Sequence, residues 1–196
     1  MSLVSCNNYN LLEHLESPGK GTNTTGGIIA LYLFPTSSTT DGNVKDAFGT
    51  AREGADALCL NTRAGITFPN NGCNRVRAMI SLSATDAIAN MPNNYGIPTD
   101  RPIYAPDGFT QAADWFTLVS GTSGNALAPH VMPATSWWSF STNGGNYDNT
   151  NNCSGGTIGT SVNGVTADSS TTGANWLAAG VVGGCSIFLQ LLCICY

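Results

Sequence analysis

The sequence is short of charge. Of 196 residues, 10% are Asp, Glu, Lys or Arg, where a soluble domain ordinarily carries about a quarter. Only seven Lys and Arg are present, scattered along the chain, and the formal net charge is −5. A nucleic-acid interface needs a clustered basic face, so nucleic acid is excluded as a partner. No run approaches the roughly 18 apolar residues of a membrane span, and the h-region of a secretory signal is missing. Histidine is limited to His14 and His130, and Cys-x-x-Cys does not occur. Those two gaps argue against a structural zinc site, which draws on close ligand pairs, and against a thioredoxin-like redox centre. No metal and no cofactor is expected.

What is there is a 42% hydrophobic chain with 9 Pro and 23 Gly, solubilised by uncharged Ser, Thr, Asn and Gly. Its length suits one domain. A polar surface with so little charge leans toward an exported protein. The opening "MSLVSCNNYN" contains Leu3-Val4-Ser5-Cys6, which looks like a bacterial lipobox, with Met1 to about Leu3 read as a leader replacing a removed signal peptide. Cys6 is then the lipidated residue, and the membrane is touched only through that lipid. Residues 7–27 read as a tether, so the division is 1–27 for anchor and tether and 28–196 for the folded domain.

Seven Cys stand at 6, 59, 73, 153, 185, 193 and 195. The last two lie in "SIFLQLLCICY", which reads as a strand. Period-two spacing puts Ile187, Leu189, Leu191, Cys193 and Cys195 on one face and Phe188, Leu192, Ile194 and Tyr196 on the other. Both faces are apolar, as in a central strand covered on both sides. Two Cys on the same face are poorly placed to bond each other, yet each can reach a different partner. Setting Cys6 aside leaves an even number with fifteen pairings open, a pattern that suits an oxidising compartment.

Along the chain, "IIALYLF" (28–34) reads as a strand closed by Pro35, and "AREGADALCLNTRAGI" as a helix over about 52–64 with Gly65 behind it and Cys59 facing the core. "NRVRAMISLS" (74–83) alternates as a half-buried strand. "ATDAIANMP" offers Thr85 as an N-cap and is stopped at Pro92. "FTQAADWFTLVSG" makes a short helix with Trp115, Phe116, Leu118 and Val119 as its apolar side. From Pro133 to Gly184 the chain is Gly-, Ser-, Thr- and Asn-rich, with Asp148 and Asp168 its only charges. A loop region this long is functional or disordered, and Cys153 with Cys185 favours order. The fold class expected is α+β.

Several of these segments, in this order, resemble endostatin and its bacterial relatives: "REGADALCLNTRAGI", "VRAMISLSATDAIANMPNNYGIPTDRPI", "ADWFTLVSG", "SWWSFSTNGG", the isolated Cys153 and "GCSIFLQLLCICY". The likeness covers roughly 28–196, and the chain resembles the leptospiral endostatin-like surface lipoproteins. It implies a C-type lectin-like (endostatin-like) fold with a long loop region and nested disulfides. Carried over, the pairs are Cys59–Cys193 and Cys153–Cys185; Cys73 and Cys195 have no endostatin counterparts and remain for each other. The departures are also informative. The His-rich zinc terminus is missing, the arginine surface for heparin is reduced to Arg75 and Arg77, and the Glu-Pro-Asn or Gln-Pro-Asp and Trp-Asn-Asp motifs of calcium-dependent sugar binding do not occur.

Asp148 in "NGGNYDNTNN" lacks the Glu-terminated spacing of a calcium loop. His130 beside Pro129, and "SGTSG", do not make a hydrolase site, and no paired carboxylates share a local frame, so no catalytic residue is assigned. Alternation in "SWWSFS" groups Trp138 with Phe140, and the family pattern assigns Trp138 to the core. Trp137 and Tyr147 are then the expected exposed aromatics and the candidate ligand contacts. The resemblance implies a non-enzymatic protein on the bacterial outer-membrane surface that binds host extracellular-matrix proteins or complement regulators. A calcium- or sugar-binding lectin and a secreted enzyme of the same fold are the alternatives.

Overall fold

A computed structural model describes residues 30–196 apart from 46, 70–72, 123 and 161. The leader, Cys6, the tether and the first two residues of the expected opening strand lie outside the described residues. The domain mixes helices with an eight-stranded sheet. In chain order the strands are β1 (Leu31–Pro35), β2 (Val76–Ala78), β3 (Ile103–Tyr104), β4 (Thr110–Ala112), β5 (Ser136–Trp138), β6 (Asn163–Asp168), β7 (Val181–Gly184) and β8 (Gln190–Cys195). The main helices are α1 (Ala51–Arg63), α2 (Met91–Tyr95) and α3 (Trp115–Ser120), with shorter helical turns at Ile88–Asn90, Asn143–Gly145 and Cys153–Gly156.

The C-terminal strand β8 is the organising element. Antiparallel β1 pairs along one of its edges, from Tyr32 opposite Cys195 to Pro35 opposite Leu192. Its other edge is shared: β2 pairs with Cys193–Cys195, while β5 runs parallel beside Gln190 and Leu191. The hand-over explains why the strand expected over 74–83 is only three residues long. Met79 N–H still donates to Leu192 at 2.7 Å, but Ser81 N–H donates to Ser139 at 2.9 Å. The backbone leaves one neighbour for another, and Met79, Ile80 and Ser81 are all buried.

Two hydrophobic clusters hold the alternating sides of these strands. Leu31, Leu33, Leu192, Ile194, Tyr196 and Trp137 belong to one. Tyr32, Phe34, Leu191, Cys193, Cys195 and Trp138 belong to the other, with Ala55 and Cys59 of α1. The doubly covered strand read from "LLCICY" is therefore present. It begins only at Gln190, however, and Ile187 and Phe188 are exposed.

Three disulfides cross this frame: Cys59–Cys193 from α1 to β8, Cys73–Cys195 from the segment before β2 to β8, and Cys153–Cys185. Their Cα–Cα distances of 5.7, 5.2 and 5.7 Å lie in the ordinary range. Cys193 and Cys195, two residues apart on one face, pin two separate places to one strand.

Local chemistry sets the helix ends. Thr50 and Glu53 form a reciprocal capping box that starts α1 at Ala51. Asp114 caps α3 by accepting from Thr117 N–H at 2.7 Å, and α3 ends at Gly121 in the left-handed region, with no room for a Cβ against the Gly173 carbonyl. Pro92 does not stop a helix; it sits in the first turn of α2, where its missing N–H is not needed. Thr85 does not cap either. The Ser83 hydroxyl accepts from Asp86 N–H, and the buried Ser81 hydroxyl accepts from Ile88 N–H at 2.9 Å. On α3, Trp115, Leu118 and Val119 face inward, but Phe116 is 77% exposed, because it lies about 100° round the helix from Trp115, on the side away from Leu118.

Candidate functional site

The region between Pro133 and Gly184 is ordered by its own side chains. Asp148 Oδ1 accepts from Thr150 N–H at 2.8 Å and from Asn151 N–H at 2.7 Å. Asn152 closes the next turn, donating through Nδ2 to the Asp148 carbonyl at 2.7 Å and accepting Gly155 N–H on Oδ1 at 2.9 Å. These are Asx-type turns. The run holds Cys153 at φ 50° and Ser154 at φ 53°, left-handed conformations rare outside Gly. Asn143 Nδ2 donates to Asn175 Oδ1 at 2.8 Å, joining the two halves of the region.

The loop so folded borders an open cleft of about 290 Å³. Ser141, Thr142, Asn143, Asp148 and Asn151 supply hydroxyl, amide and carboxylate groups to it, and Val165, Ala178 and Gly180 supply the apolar part. Asp148 is thus at the cleft with one oxygen committed to the backbone. Among the described residues, no three His, Cys, Asp or Glu come together to hold a metal ion.

The two expected contact aromatics fare differently. Trp137 is not exposed. Its accessibility is 0%, equal to that of Trp138, and its ring packs 5.8 Å from Trp176. Alternation correctly sends Trp137 and Trp138 to opposite faces, but the sheet is covered on both, so neither face offers solvent. Trp138 does sit with Phe140, ring centroids 5.3 Å apart. Tyr147 is half-buried, and its hydroxyl is pushed upward in pKa by burial and by Asp148. It adjoins Asp148 in sequence yet does not line the cleft. The exposed large apolar side chains are instead Phe116, Phe188, Ile187, Val162, Phe109, Ile158 and Phe48.

The arginines are largely spent on the fold. Arg52 donates to both oxygens of Asp86 at 2.9 and 3.0 Å and to the carbonyls of Ala78 and Ile80 at 2.8 and 2.9 Å. Burial opposes its charge, but Asp56 and Asp86 outweigh this and raise its pKa. Arg77 meets buried Asp56 at 2.8 Å and lies over the Tyr95 ring. Arg63 Nη2 donates to the Cys73 carbonyl at 3.0 Å. Arg75 and Arg77 therefore do not form an open basic pair. From residue 102 onward the chain contains no Lys or Arg, against Asp107, Asp114, Asp148 and Asp168.

His130 is held by Asp107, Nδ1 to Oδ2 2.8 Å, and lies flat on Phe109 at 3.7 Å between centroids. That hydrogen bond, with Phe109 N–H, keeps the Asp107 carboxyl below its ordinary pKa.

The fold and site define a disulfide-stapled domain of mixed helix and sheet with a polar, cation-free loop face. In comparisons with known proteins, no family model and no curated protein matches the chain.

Proposed function

We propose that this protein is a non-enzymatic binding protein of the endostatin-like, C-type lectin-like class, displayed on a bacterial outer membrane through a lipid on Cys6, and that it engages host extracellular-matrix or complement proteins. The observation that carries the reading is the loop region 133–184. Asx turns and the Cys153–Cys185 staple fold it into a polar cleft with no cation in the region. Recognition is commonly placed on loops held by a rigid scaffold. Three disulfides fit an oxidising, extracellular setting. With Arg77 tied to Asp56, a heparin-type basic site has little support.

A screen of the soluble domain against laminin, fibronectin, complement factor H and a glycan array tests this. Binding to one of the proteins, weakened by Asn143→Ala with Asn151→Ala and changed little between low and moderate salt, is the expected result. Steep salt dependence, removed by Arg75→Ala, moves the site to the β2 surface and defeats the loop reading.

The hydroxyl- and amide-rich lining of the cleft favours a second reading, a lectin that takes a neutral sugar. Signal confined to the glycan array supports it over protein binding.

A further inference from the structure

Among the described residues the sheet ends at β7, which pairs with β6. The bond from Cys185 N–H to the Val162 carbonyl, 2.9 Å, fixes the phase of that antiparallel ladder. Paired residues exchange hydrogen bonds at every second position. Gly164 opposite Gly183, and Thr166 opposite Val181, are then the bonded pairs; Val165 opposite Val182, and Asn163 opposite Gly184, are not. On β6 the outward groups of Val165 are taken up as this phase requires, its carbonyl by Phe140 N–H and its N–H by the Asn151 carbonyl. On β7 the same phase turns the Val182 N–H and carbonyl, and the Gly184 N–H, away from the sheet. The Gly184 carbonyl already accepts from Ile187 N–H at 3.1 Å.

Sheet edges in soluble proteins are ordinarily blunted by Lys, Pro, a bulge or a covering segment. This edge reads Val-Val-Gly-Gly, with none of the blocking residues. Its surroundings are apolar: Val162, Ile187 and Phe188 are 39, 40 and 66% exposed. Its scaffold is stiff, since Gly42 packs on the Cys153–Cys185 staple and donates its N–H to the Cys185 carbonyl at 2.7 Å. Carboxylates outnumber cations beside this edge: Asp148 shares the cleft with Gly180, just before β7, and Asp41 lies against Gly159, while Lys45 is the cation of the 40–45 loop and no Lys or Arg follows residue 101.

We propose that the free edge of β7 docks an extended segment of a partner protein, added as a further strand, with alternating apolar residues and basic flanks. The outward backbone groups ask for a strand, the exposed side chains for apolar contacts, and the excess of carboxylates for Lys or Arg. A second copy of this acidic chain matches the first two requirements and not the third. The proposal rests on the reading of the protein as a protein-binding module and names how the partner is held.

The probe is an end-blocked peptide, Lys-Val-Thr-Val-Thr-Val-Lys, added to the full chain, with hydrogen exchange read at single amides. Slowing of exchange at Val182 and Gly184 by roughly tenfold or more is expected. The Glu-flanked peptide should bind roughly tenfold more weakly. Val182→Pro removes one outward N–H and should abolish the protection. Phe188→Lys, at an exposed position that leaves the fold intact, should weaken the Lys-flanked peptide and favour the Glu-flanked one. Protection elsewhere, or at Val182 and Gly184 only as protein concentration rises without peptide, overturns the proposal, the latter in favour of self-pairing. If a host protein binds but is indifferent to Val182→Pro and Phe188→Lys, the docking edge fails and the host-binding reading survives. If the peptide docks and every host protein fails, the opposite holds.

Discussion

Asp56 Oδ2 lies 2.8 Å from Nη1 of Arg77, and its other oxygen accepts the N–H of Ala78 at the same distance. One 3%-exposed carboxylate on α1 thereby fixes both a side chain and the backbone of β2. Arg52, one turn earlier on the helix, comes within 3.4 Å and continues the network to Asp86 and Tyr95. Every member is paired, the condition under which a buried polar network orders a core rather than weakening it.

Breaking that network from Asp56 should be costly. Asp56→Ala leaves two arginines undercompensated and the Ala78 N–H buried without its acceptor, so a loss of about 3–5 kcal/mol is expected. Asp56→Asn keeps an acceptor for Ala78 and should fall between Ala and wild type. Arg75→Ala, at an exposed position, should stay within about 0.5 kcal/mol. Urea midpoints at constant slope measure all three.

Tyr95 supplies a pH dependence with a definite sign. Burial raises its phenol pKa, the opposing charge of Arg52 notwithstanding, and its hydrogen bond to Asp86 at 2.7 Å raises it further. The folded state then holds a proton that the unfolded chain releases near pH 10. The resulting stability is fully present below about pH 10 and is lost as pH rises through the folded pKa. Tyr95→Phe should be less stable at neutral pH by about 0.5–1.5 kcal/mol, the worth of the hydrogen bond. It should also decline less above pH 10, so the two denaturation midpoints converge. A gap that stays constant or widens with pH contradicts the assignment. Cys6→Ser in both proteins removes a thiol that could reshuffle disulfides in alkali.

Much of the fold was legible because it rests on local pattern. The α1 helix follows from its apolar spacing, though the Thr50–Glu53 box that sets its start was overlooked in the sequence. The two-faced terminal strand follows from period-two spacing; Cys193 pairs with Cys59 as the family likeness implied, and Cys195 with Cys73, the pair left by elimination. Illegible were features set by distant neighbours. Strand β2 is short because β8 passes to β5, and Trp137 is buried because cover comes from Trp176 and the rest of that core. The cleft is likewise built across three separated segments, which no local window reveals.

The burial of Trp137 can be checked directly. All four Trp, at 115, 137, 138 and 176, are at most 5% exposed. Native fluorescence should be blue-shifted and resistant to acrylamide. Trp137→Ala should cost about 3–5 kcal/mol as a core deletion. Phe116→Ala should stay within about 0.5 kcal/mol because that ring is already in water. A solvent-quenched Trp, or a mild effect of Trp137→Ala, returns Trp137 to the surface.

The staples should differ in worth. Cys73–Cys195 spans 122 residues and Cys153–Cys185 spans 32. The chain-entropy model assigns upper estimates of about 5 and about 3.7 kcal/mol. Replacing the first pair by Ala should therefore lower stability more than replacing the second, by about 1 kcal/mol. Gly42 gives a second handle on the shorter staple, for a Cβ at that position has no space beside the Cys153 sulfur and would fall 2.8 Å from Cys185 Cβ. Gly42→Ala should cost about 1–3 kcal/mol through overpacking with the disulfide intact. With Cys153 and Cys185 both replaced by Ala, the obstructing sulfur is gone while both Cβ atoms remain, so the penalty should fall but not vanish. Equal penalties in the two backgrounds would show that Gly42 is required for its own backbone and not for the seat of the disulfide. Peptide mapping without reduction tests the pairing beneath the whole series: a Cys193–Cys195 bond would leave α1 and the Cys73 segment unpinned, and the ranking of the pairs would collapse.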